Sequence, residues 1–224
     1  YWLKVYEIPE GTKSSKGRAV QNLLNIDSDD KVTAFICVEN INDEEWVKTH
    51  NLIFCTKNGT VKKSRFELYS HPRSNGLNAI NIVEGDKVIE VCLTSGNDDI
   101  IIANRNGRAI RFNENAVRLM GRTATGVRGL RLDDDGEDEV VGMVCLACNK
   151  PLDPSMFNEN EEEADDDVAD VAEEEEDSSV DVQEQVEDVS DDFPETIMVV
   201  SEKGYGKRSE FDEYRETSRG AKGV

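Results

Sequence analysis

The amino-acid sequence predicts an all-β, propeller-like fold in which small sheets repeat along the chain. An apolar run, a tight glycine turn and closely spaced basic residues follow one another at 53–63, 100–111 and 197–208. The glycines of the first two turns, Gly59 and Gly107, are 48 residues apart. A period of about fifty residues with several short strands per unit is typical of blades around an axis, since one blade cannot bury both faces of its sheet alone.

The hairpins are predicted by Asn58-Gly59 and Asn106-Gly107, because both central residues of a tight hairpin turn need positive φ. An Asp-x-Val marker follows each hairpin region and predicts the start of another strand. These strands are expected at 32–36, 88–92 and 140–144. Each unit therefore contains a hairpin and at least one further strand.

Glycine-rich basic loops form a third marker. Strands of alternating polarity are predicted after two of these loops, at 22–26 and 130–132, and Lys222-Gly223 begins a further copy. Helical signals are few, and residues 114–117 are expected to form a single turn. Four units are counted, of which the first is expected to lack its opening strands and the last its closing strands.

A strongly acidic stretch interrupts the repeats. Residues 151–195 contain 21 Asp and Glu and no Lys or Arg, so the net charge of -22 hides a nearly balanced remainder. Residues 156–193 are predicted to form a disordered insertion, because so few apolar side chains cannot offset the entropy cost of ordering. The blades are then expected at 1–155, with their continuation at 194–224. The insertion is interpreted as a solvated linker, and an internal DNA mimic that competes for basic residues is the sharper alternative.

Several classes of function are disfavoured by the composition. No apolar stretch is long enough to span a membrane, and five Cys, mostly in apolar runs, favour a reducing cytoplasm over a disulfide framework. Cys145 and Cys148 have zinc-like spacing but stand alone in an apolar run, so no metal site is predicted. No catalytic residues are predicted, because acidic pairs suitable for acid–base catalysis are expected only in the insertion, where no fixed geometry exists, and nucleotide-binding fingerprints are absent.

Clusters of basic residues favour binding to nucleic acid. Residues 57–65 and 118–131 each carry four Lys or Arg and no acid. A regular series of cations suits the phosphate backbone of a duplex, and without an element that reads bases, specificity is expected to come from DNA bendability. The alternative is that these side chains only solubilise the edges of exposed hairpins.

Several phrases occur together in the order found in one known family. They are 4–10, 16–24, 58–63, 93–96, 117–122, 125–129 and 203–208. In these sequence segments the chain resembles the C-terminal domain of the A chain of bacterial DNA gyrase, and the resemblance covers all residues except the acidic stretch. The resemblance implies a β-pinwheel, a propeller-like disc of four-stranded blades that exchange strands, with duplex DNA bending around its rim.

The resemblance also implies the setting in which such a domain works. DNA wrapping would enable ATP-dependent negative supercoiling by a type IIA topoisomerase, an A2B2 complex of gyrase A and gyrase B in the bacterial cytoplasm at the nucleoid. ATP and Mg²⁺ would belong to other parts of that complex, so this chain needs no cofactor. The family's basic, glycine-rich heptapeptide would lie before Tyr1, so the equivalent domain of topoisomerase IV stays open as an alternative. A propeller that acts as a scaffold for other proteins is the alternative from another class.

Twenty residues, called the candidate cations below, are expected to contact DNA. They are Lys13, Lys16, Arg18, Lys57, Lys62, Lys63, Arg65, Arg73, Arg105, Arg108, Arg111, Arg118, Arg122, Arg128, Arg131, Lys203, Lys207, Arg208, Arg219 and Lys222. Charge reversal at Lys62, Lys63 and Arg111 together is expected to weaken binding to duplex DNA.

Overall fold

The computed structural model describes residues 1–26, 30–38, 41–71, 73–133, 136–147 and 195–223. Its strands in these ranges are β1 Asn51–Thr56, β2 Thr60–Arg65, β3 Val88–Thr94, β4 Asp98–Asn104, β5 Ala109–Asn113, β6 Val127–Arg128, β7 Val140–Ala147, β8 Thr196–Val200 and β9 Gly206–Glu210. One α-helix, α1, spans Glu44–Thr49. Short 3-10 turns at Phe66–Tyr69 and Glu114–Ala116 follow β2 and β5.

The first sheet has the strand order β3-β1-β2-β6. The hairpin β1–β2 forms its centre, and β3 pairs antiparallel with the other edge of β1. The outer partner of β2 is β6, which comes from beyond the second hairpin and places Val127 opposite Val61. A strand of the following unit therefore completes this four-stranded sheet, as the exchange of strands between blades predicts.

The second sheet repeats this plan around β4 and β5. β7 pairs antiparallel with β4 on the side away from β5, as β3 does with β1. The free edge of β5 receives a later segment, since Arg111 and Glu216 form an isolated parallel bridge. β8 and β9 form a separate antiparallel hairpin.

The first sheet is buried on both faces because alternate residues of β1 contribute to two different apolar clusters. Ile53 and Cys55 pack with Ile100 and Ile102 of the second sheet in one cluster. Phe54 belongs to a second cluster, on the opposite face, which includes residues from α1 and from the turn after β2. Stacking of sheets explains why β1 is buried at every position. In a sheet with one face exposed to solvent, buried and exposed residues would alternate along the strand.

Gly126 allows the exchanged strand to approach β2 closely. Its φ is +112°, and a Cβ at this position would lie 2.6 Å from the carbonyl oxygen of Val61. Any other L-residue would meet both a strained backbone and a clash with main-chain atoms. The glycine therefore serves the predicted tight turn and places 127–128 in the first sheet.

The sequence-based expectations for individual elements have mixed outcomes. The two Asn-Gly hairpins and the strands at 88–92 and 140–144 are confirmed as β1–β2, β4–β5, β3 and β7, and the turn at 114–116 is confirmed as well. The strand expected at 130–132 is wrong, because β6 ends at Arg128 before it begins.

The strands expected at 22–26 and 32–36 are also wrong: no strand is assigned there among the described residues. The repeat pairs such a strand with the hairpin that precedes it, as β3 pairs with β1, and no hairpin is found before residue 32 among the described residues. Helix α1 is an element that the sequence patterns above do not predict. A signal for it exists in Asp43, whose carboxylate accepts from the backbone N–H groups of Glu45 and Trp46 as an N-cap.

The chain divides into two compact units. One contains Tyr1–Phe157 and Tyr214–Val224, and the other contains Asn158–Glu213, of which residues 195–213 are described. The predicted insertion at 156–193 lies outside the described residues, so both interpretations of it remain predictions. Among the described helices, none is long and apolar enough to cross a membrane.

Candidate nucleic-acid interface

Three of the candidate cations are buried inside the sheets. Lys62, Lys63 and Arg111, called the strand cations below, have relative exposures of 0%, 5% and 4%. Lys62 and Lys63 are neighbours in β2, so their side chains point to opposite faces of the first sheet. Because both faces of this sheet are covered, neither direction leads to solvent.

Lys62 binds backbone oxygens. Its Nζ donates to the carbonyl oxygens of Ala79 and Arg122, both at 2.6 Å, and lies 5.5 Å from the centre of the Phe54 ring. Burial lowers the pKa of Lys62 to about 8, and the charge of Arg122 acts in the same direction. The side chain therefore connects two loops to β2.

Lys63 forms a buried ion pair with Glu114, with 3.4 Å between Nζ and Oε2. The Glu114 side chain is fully buried, and its carboxylate also accepts hydrogen bonds from the backbone N–H groups of Gly96 at 2.8 Å and Asp98 at 2.9 Å. Because Glu114 follows β5, this network joins the first hairpin to the second. A buried carboxylate with several donors is the arrangement that offsets the cost of removing its charge from water.

Arg111 forms the corresponding buried pair with Asp99. Its Nε and Nη2 donate to Asp99 Oδ2 at 2.9 and 2.7 Å, and its Nη1 donates to the carbonyl oxygen of Tyr214 at 3.3 Å. The expectation that the strand cations contact DNA is therefore wrong. Their charges are held by protein oxygens inside stacked sheets, where a phosphate has no access.

Four other candidate cations lie at the turn ends of the hairpins and share two carboxylates. Glu139 binds Lys57 at 2.6 Å and Arg105 at 3.6 Å. Asp133 binds Arg108 at 2.9 Å and Lys222 at 2.7 Å. The side chains of these four cations remain 36% to 56% exposed, so a phosphate reaching them would compete with a carboxylate.

These contacts perturb both carboxylates. A hydrogen bond from Lys222, then one from Asn106, lowers the pKa of Asp133 to about 2. A hydrogen bond from Lys57 lowers the pKa of Glu139. Both carboxylates therefore stay ionised, and hold their cations, over the whole neutral range.

The most accessible candidate cations of the first unit lie beside the exchanged strand. Arg118, Arg128 and Arg131 are exposed, and no ion pair with a carboxylate is found for them within the described ranges. Arg219 stabilises this region by donating to the carbonyl oxygens of Ala116 at 2.8 Å and Arg128 at 2.6 Å. Burial, and then the nearby charge of Arg118, lower the pKa of Arg219. Arg219 therefore lies near the charge of Arg118 and holds the backbone of the exchanged strand at Arg128.

The remaining candidate cations lie elsewhere. Lys13, Lys16, Arg18, Arg65, Arg73, Lys203, Lys207 and Arg208 are exposed, and Arg122 is half-buried. Lys207 approaches Glu213 at 3.9 Å within the second compact unit. The DNA contacts of all candidate cations other than the strand cations stay predictions.

Sequence reasoning missed the carboxylates that hold the buried cations. One of them, Asp99, lies in the same hairpin as the cation that it binds, but its place depends on the observed register, which differs by one residue from that of a two-residue Asn106-Gly107 turn. That register pairs Ile101 with Arg111 and Asp99 with Asn113, so Asp99 lies diagonally beside Arg111 on the same face. Glu114 had no local signal, because its contact with Lys63 depends on how two sheets pack.

Cys55, Cys92 and Cys145 pack in the apolar cluster between the sheets, whereas Cys37 is exposed. The thiols of Cys92 in β3 and Cys145 in β7 share a hydrogen bond, and this contact together with burial raises the pKa of Cys145. Cys148 lies outside the described residues, so the zinc-like spacing is not addressed there. Within the described part of the chain, no three His, Cys, Asp or Glu side chains are grouped so that they could hold a metal ion.

Comparison with known proteins agrees with this geometry. The gyrase A protein of Salmonella typhimurium is 34% identical over 224 residues, which cover 100% of this chain and 20% of that protein. This chain therefore spans about a fifth of the length of such relatives.

Solved structures show the same fold. The C-terminal domain of DNA topoisomerase IV has a TM-score of 0.67 and 24% identity over 98% of this chain and 53% of that chain. The DNA gyrase A C-terminal domain has a TM-score of 0.64 and 19% identity over 100% of this chain and 55% of that chain. The family model described as the DNA gyrase C-terminal domain, beta-propeller, matches residues 1–39, 50–91, 98–147 and 195–224. Because this match covers more than half of the chain, the protein belongs to the family of DNA gyrase C-terminal domains.

Proposed function

We propose that this chain binds duplex DNA without sequence specificity and bends it along its exposed cations. The observation that carries the proposal is the group Arg118, Arg128 and Arg131, which is exposed and has no carboxylate partner among the described residues. Guanidinium groups bind phosphate through charge-assisted hydrogen bonds, and binding releases counterions from the duplex. Membership of the gyrase C-terminal family supports the same function.

In the whole protein this domain would serve as the C-terminal domain of DNA gyrase A. Bending and wrapping of DNA would then enable ATP-dependent negative supercoiling by a complex of two gyrase A and two gyrase B chains in the bacterial cytoplasm. ATP and Mg²⁺ would be held by other regions of that complex. The 34% identity to a gyrase A protein over the full chain supports this setting.

The direct test is a fluorescence-anisotropy titration of a labelled duplex of mixed sequence at two ionic strengths. If about 6 to 10 phosphates are contacted, affinity is expected to fall by orders of magnitude between about 50 and about 200 mM salt. An unrelated duplex should bind equally well, because no base-reading element is present in the described elements. Binding that is insensitive to salt, or no binding at all, would favour the scaffold alternative.

The C-terminal domain of topoisomerase IV remains the alternative within the family, since a solved structure of that domain shares the fold. The two functions differ in what the whole enzyme does with wrapped DNA. A supercoiling assay of the whole enzyme on relaxed plasmid distinguishes them. Introduction of negative supercoils with ATP supports the gyrase function, and relaxation without supercoiling supports the alternative.

A further inference from the structure

Two short segments occupy equivalent places beside successive sheets. In the first, residues 117–120, Leu119 forms a parallel bridge with Lys63, and the Met120 N–H donates to the Lys63 carbonyl oxygen at 2.8 Å. In the second, residues 214–217, Glu216 bridges Arg111, and the Thr217 N–H donates to the Arg111 carbonyl oxygen at 2.7 Å. These segments are called the edge segments below.

The strand residues that bind the edge segments are themselves equivalent. Lys63 lies opposite Ile53 in the first hairpin, and Arg111 lies opposite Ile101 in the second. Their side chains bind carbonyl oxygens at positions that are not equivalent. Lys63 Nζ donates to Glu114, before the first edge segment, at 3.2 Å, and Arg111 Nη1 donates to Tyr214, inside the second, at 3.3 Å. The equivalence of the two edge segments therefore rests on their backbone contacts.

A second contact, seven residues further along, supports the same alignment without gaps. A Cβ at Gly126 would meet the Val61 carbonyl oxygen at 2.6 Å, and one at Gly223 would meet that of Ala109 at 2.9 Å. Val61 and Ala109 each lie two residues before the strand cation that binds the edge segment. Arg118 and Arg215 consequently hold the same position, one beside each sheet.

Both arginines have the properties of a phosphate contact. Arg118 and Arg215 are exposed, and no ion pair is found for either within the ranges that the structure describes. Arg215 is not among the candidate cations, because its sequence neighbour Glu216 breaks the acid-free pattern that identified Arg118. Glu216 is itself bound to Arg111 through the backbone, so its place beside the sheet is set by main-chain atoms.

We propose that Arg118 and Arg215 are equivalent phosphate contacts, one for each sheet, along a single duplex. This inference rests on the proposed binding of duplex DNA and adds Arg215 to its surface. Phosphates recur at regular intervals along a duplex, so successive sheets of a repeated fold can contact them through the same residue position. Arginine suits that position because its planar fork donates two hydrogen bonds to one phosphate.

The experiment compares single charge-neutralising variants of the intact protein by anisotropy with a labelled duplex. Arg215→Gln and Arg118→Gln are each expected to lower affinity about fivefold to tenfold and to reduce the salt slope by about 0.9. The matched control is Lys48→Gln, which removes the same charge from an exposed side chain that lies 3.8 Å from Glu44 and is not among the candidate cations. This control is expected to change affinity less than about twofold.

Further variants separate the possible outcomes. Arg215→Lys keeps the charge and should restore the salt slope but only part of the affinity, because lysine cannot form the fork. A loss for Arg215→Gln no larger than that of the control would overturn the inference while leaving DNA binding intact. Failure of the unaltered protein to bind the duplex would overturn the proposed function together with the inference. Thermal unfolding of each variant checks that the fold is retained.

Discussion

The strand cations and the edge-segment arginines carry the same charge but lie in opposite environments. Lys63 and Arg111 are buried and bind Glu114 and Asp99, whereas Arg118 is exposed and has no carboxylate partner within the described ranges. The difference follows from position, because a strand inside stacked sheets offers no solvent on either face. A basic residue in a repeated hairpin can therefore be a structural group, while the ligand-binding group lies in the connecting segment.

The largest effect is expected when a strand cation is removed. Arg111→Met leaves the buried carboxylate of Asp99 without its cation and should lower the free energy of unfolding by about 3 kcal/mol or more. Urea unfolding followed by far-ultraviolet circular dichroism measures this change. Adding Asp99→Asn to the same protein should recover part of the loss, because the uncompensated charge is then gone.

Arg118→Gln is the matched control among the exposed cations. It should change stability by less than about 0.5 kcal/mol while it weakens DNA binding. If Arg111→Met left stability unchanged and weakened DNA binding instead, the division between structural and DNA-binding cations would be wrong.

A smaller loss is expected at Lys62, which binds neutral partners. Lys62→Met removes the Lys62 donor from the carbonyl oxygens of Arg122 and of Ala79, which keeps a hydrogen bond from the Tyr69 hydroxyl, and should destabilise the fold by about 1 to 3 kcal/mol. The pKa of Lys62 is about 8 in the folded protein and 10.5 ordinarily, so folded Lys62 binds fewer protons between these values. Its contribution to stability therefore rises with pH from about 8 toward 10.5.

Urea unfolding of the parent and Lys62→Met proteins at pH values below and above 8 measures that trend. The difference in stability between them should grow as the pH is raised. Arg65→Gln, at the exposed end of the same strand, should show no such trend. A difference that shrinks with rising pH would contradict the buried position of the ammonium group.

Local signals predicted the fold better than they predicted the site. The β1–β2 turn is closed by the Gly59 N–H on the Thr56 carbonyl oxygen, and Gly59 has a φ of +80°, so this hairpin could be predicted from a few neighbouring positions. The burial of Lys63 depends on Glu114, 51 residues away, which no local pattern reveals. The prediction of a strand at 32–36 was wrong for a related reason, since a strand also needs a partner, and no hairpin precedes these residues within the described ranges as β1–β2 precedes β3.

The smallest effect is expected where cations are shared with carboxylates at the hairpin turns. Glu139→Gln releases Lys57 and Arg105 and should raise affinity for a duplex about twofold to threefold at low salt, because exposed ion pairs are weak. The gain should disappear at high salt, where both the ion pairs and the phosphate contacts are screened. Anisotropy titrations at two ionic strengths provide the measurement.

Glu10→Gln changes the net charge by the same amount at an exposed position for which no ion pair is found among the described residues. If the two variants gained affinity equally, the effect would come from net charge and not from the release of Lys57 and Arg105. A gain confined to Glu139→Gln would show that Lys57 and Arg105 are less available to phosphate than the edge-segment arginines but more available than the buried strand cations. They would then be side chains for which Glu139 and a phosphate compete.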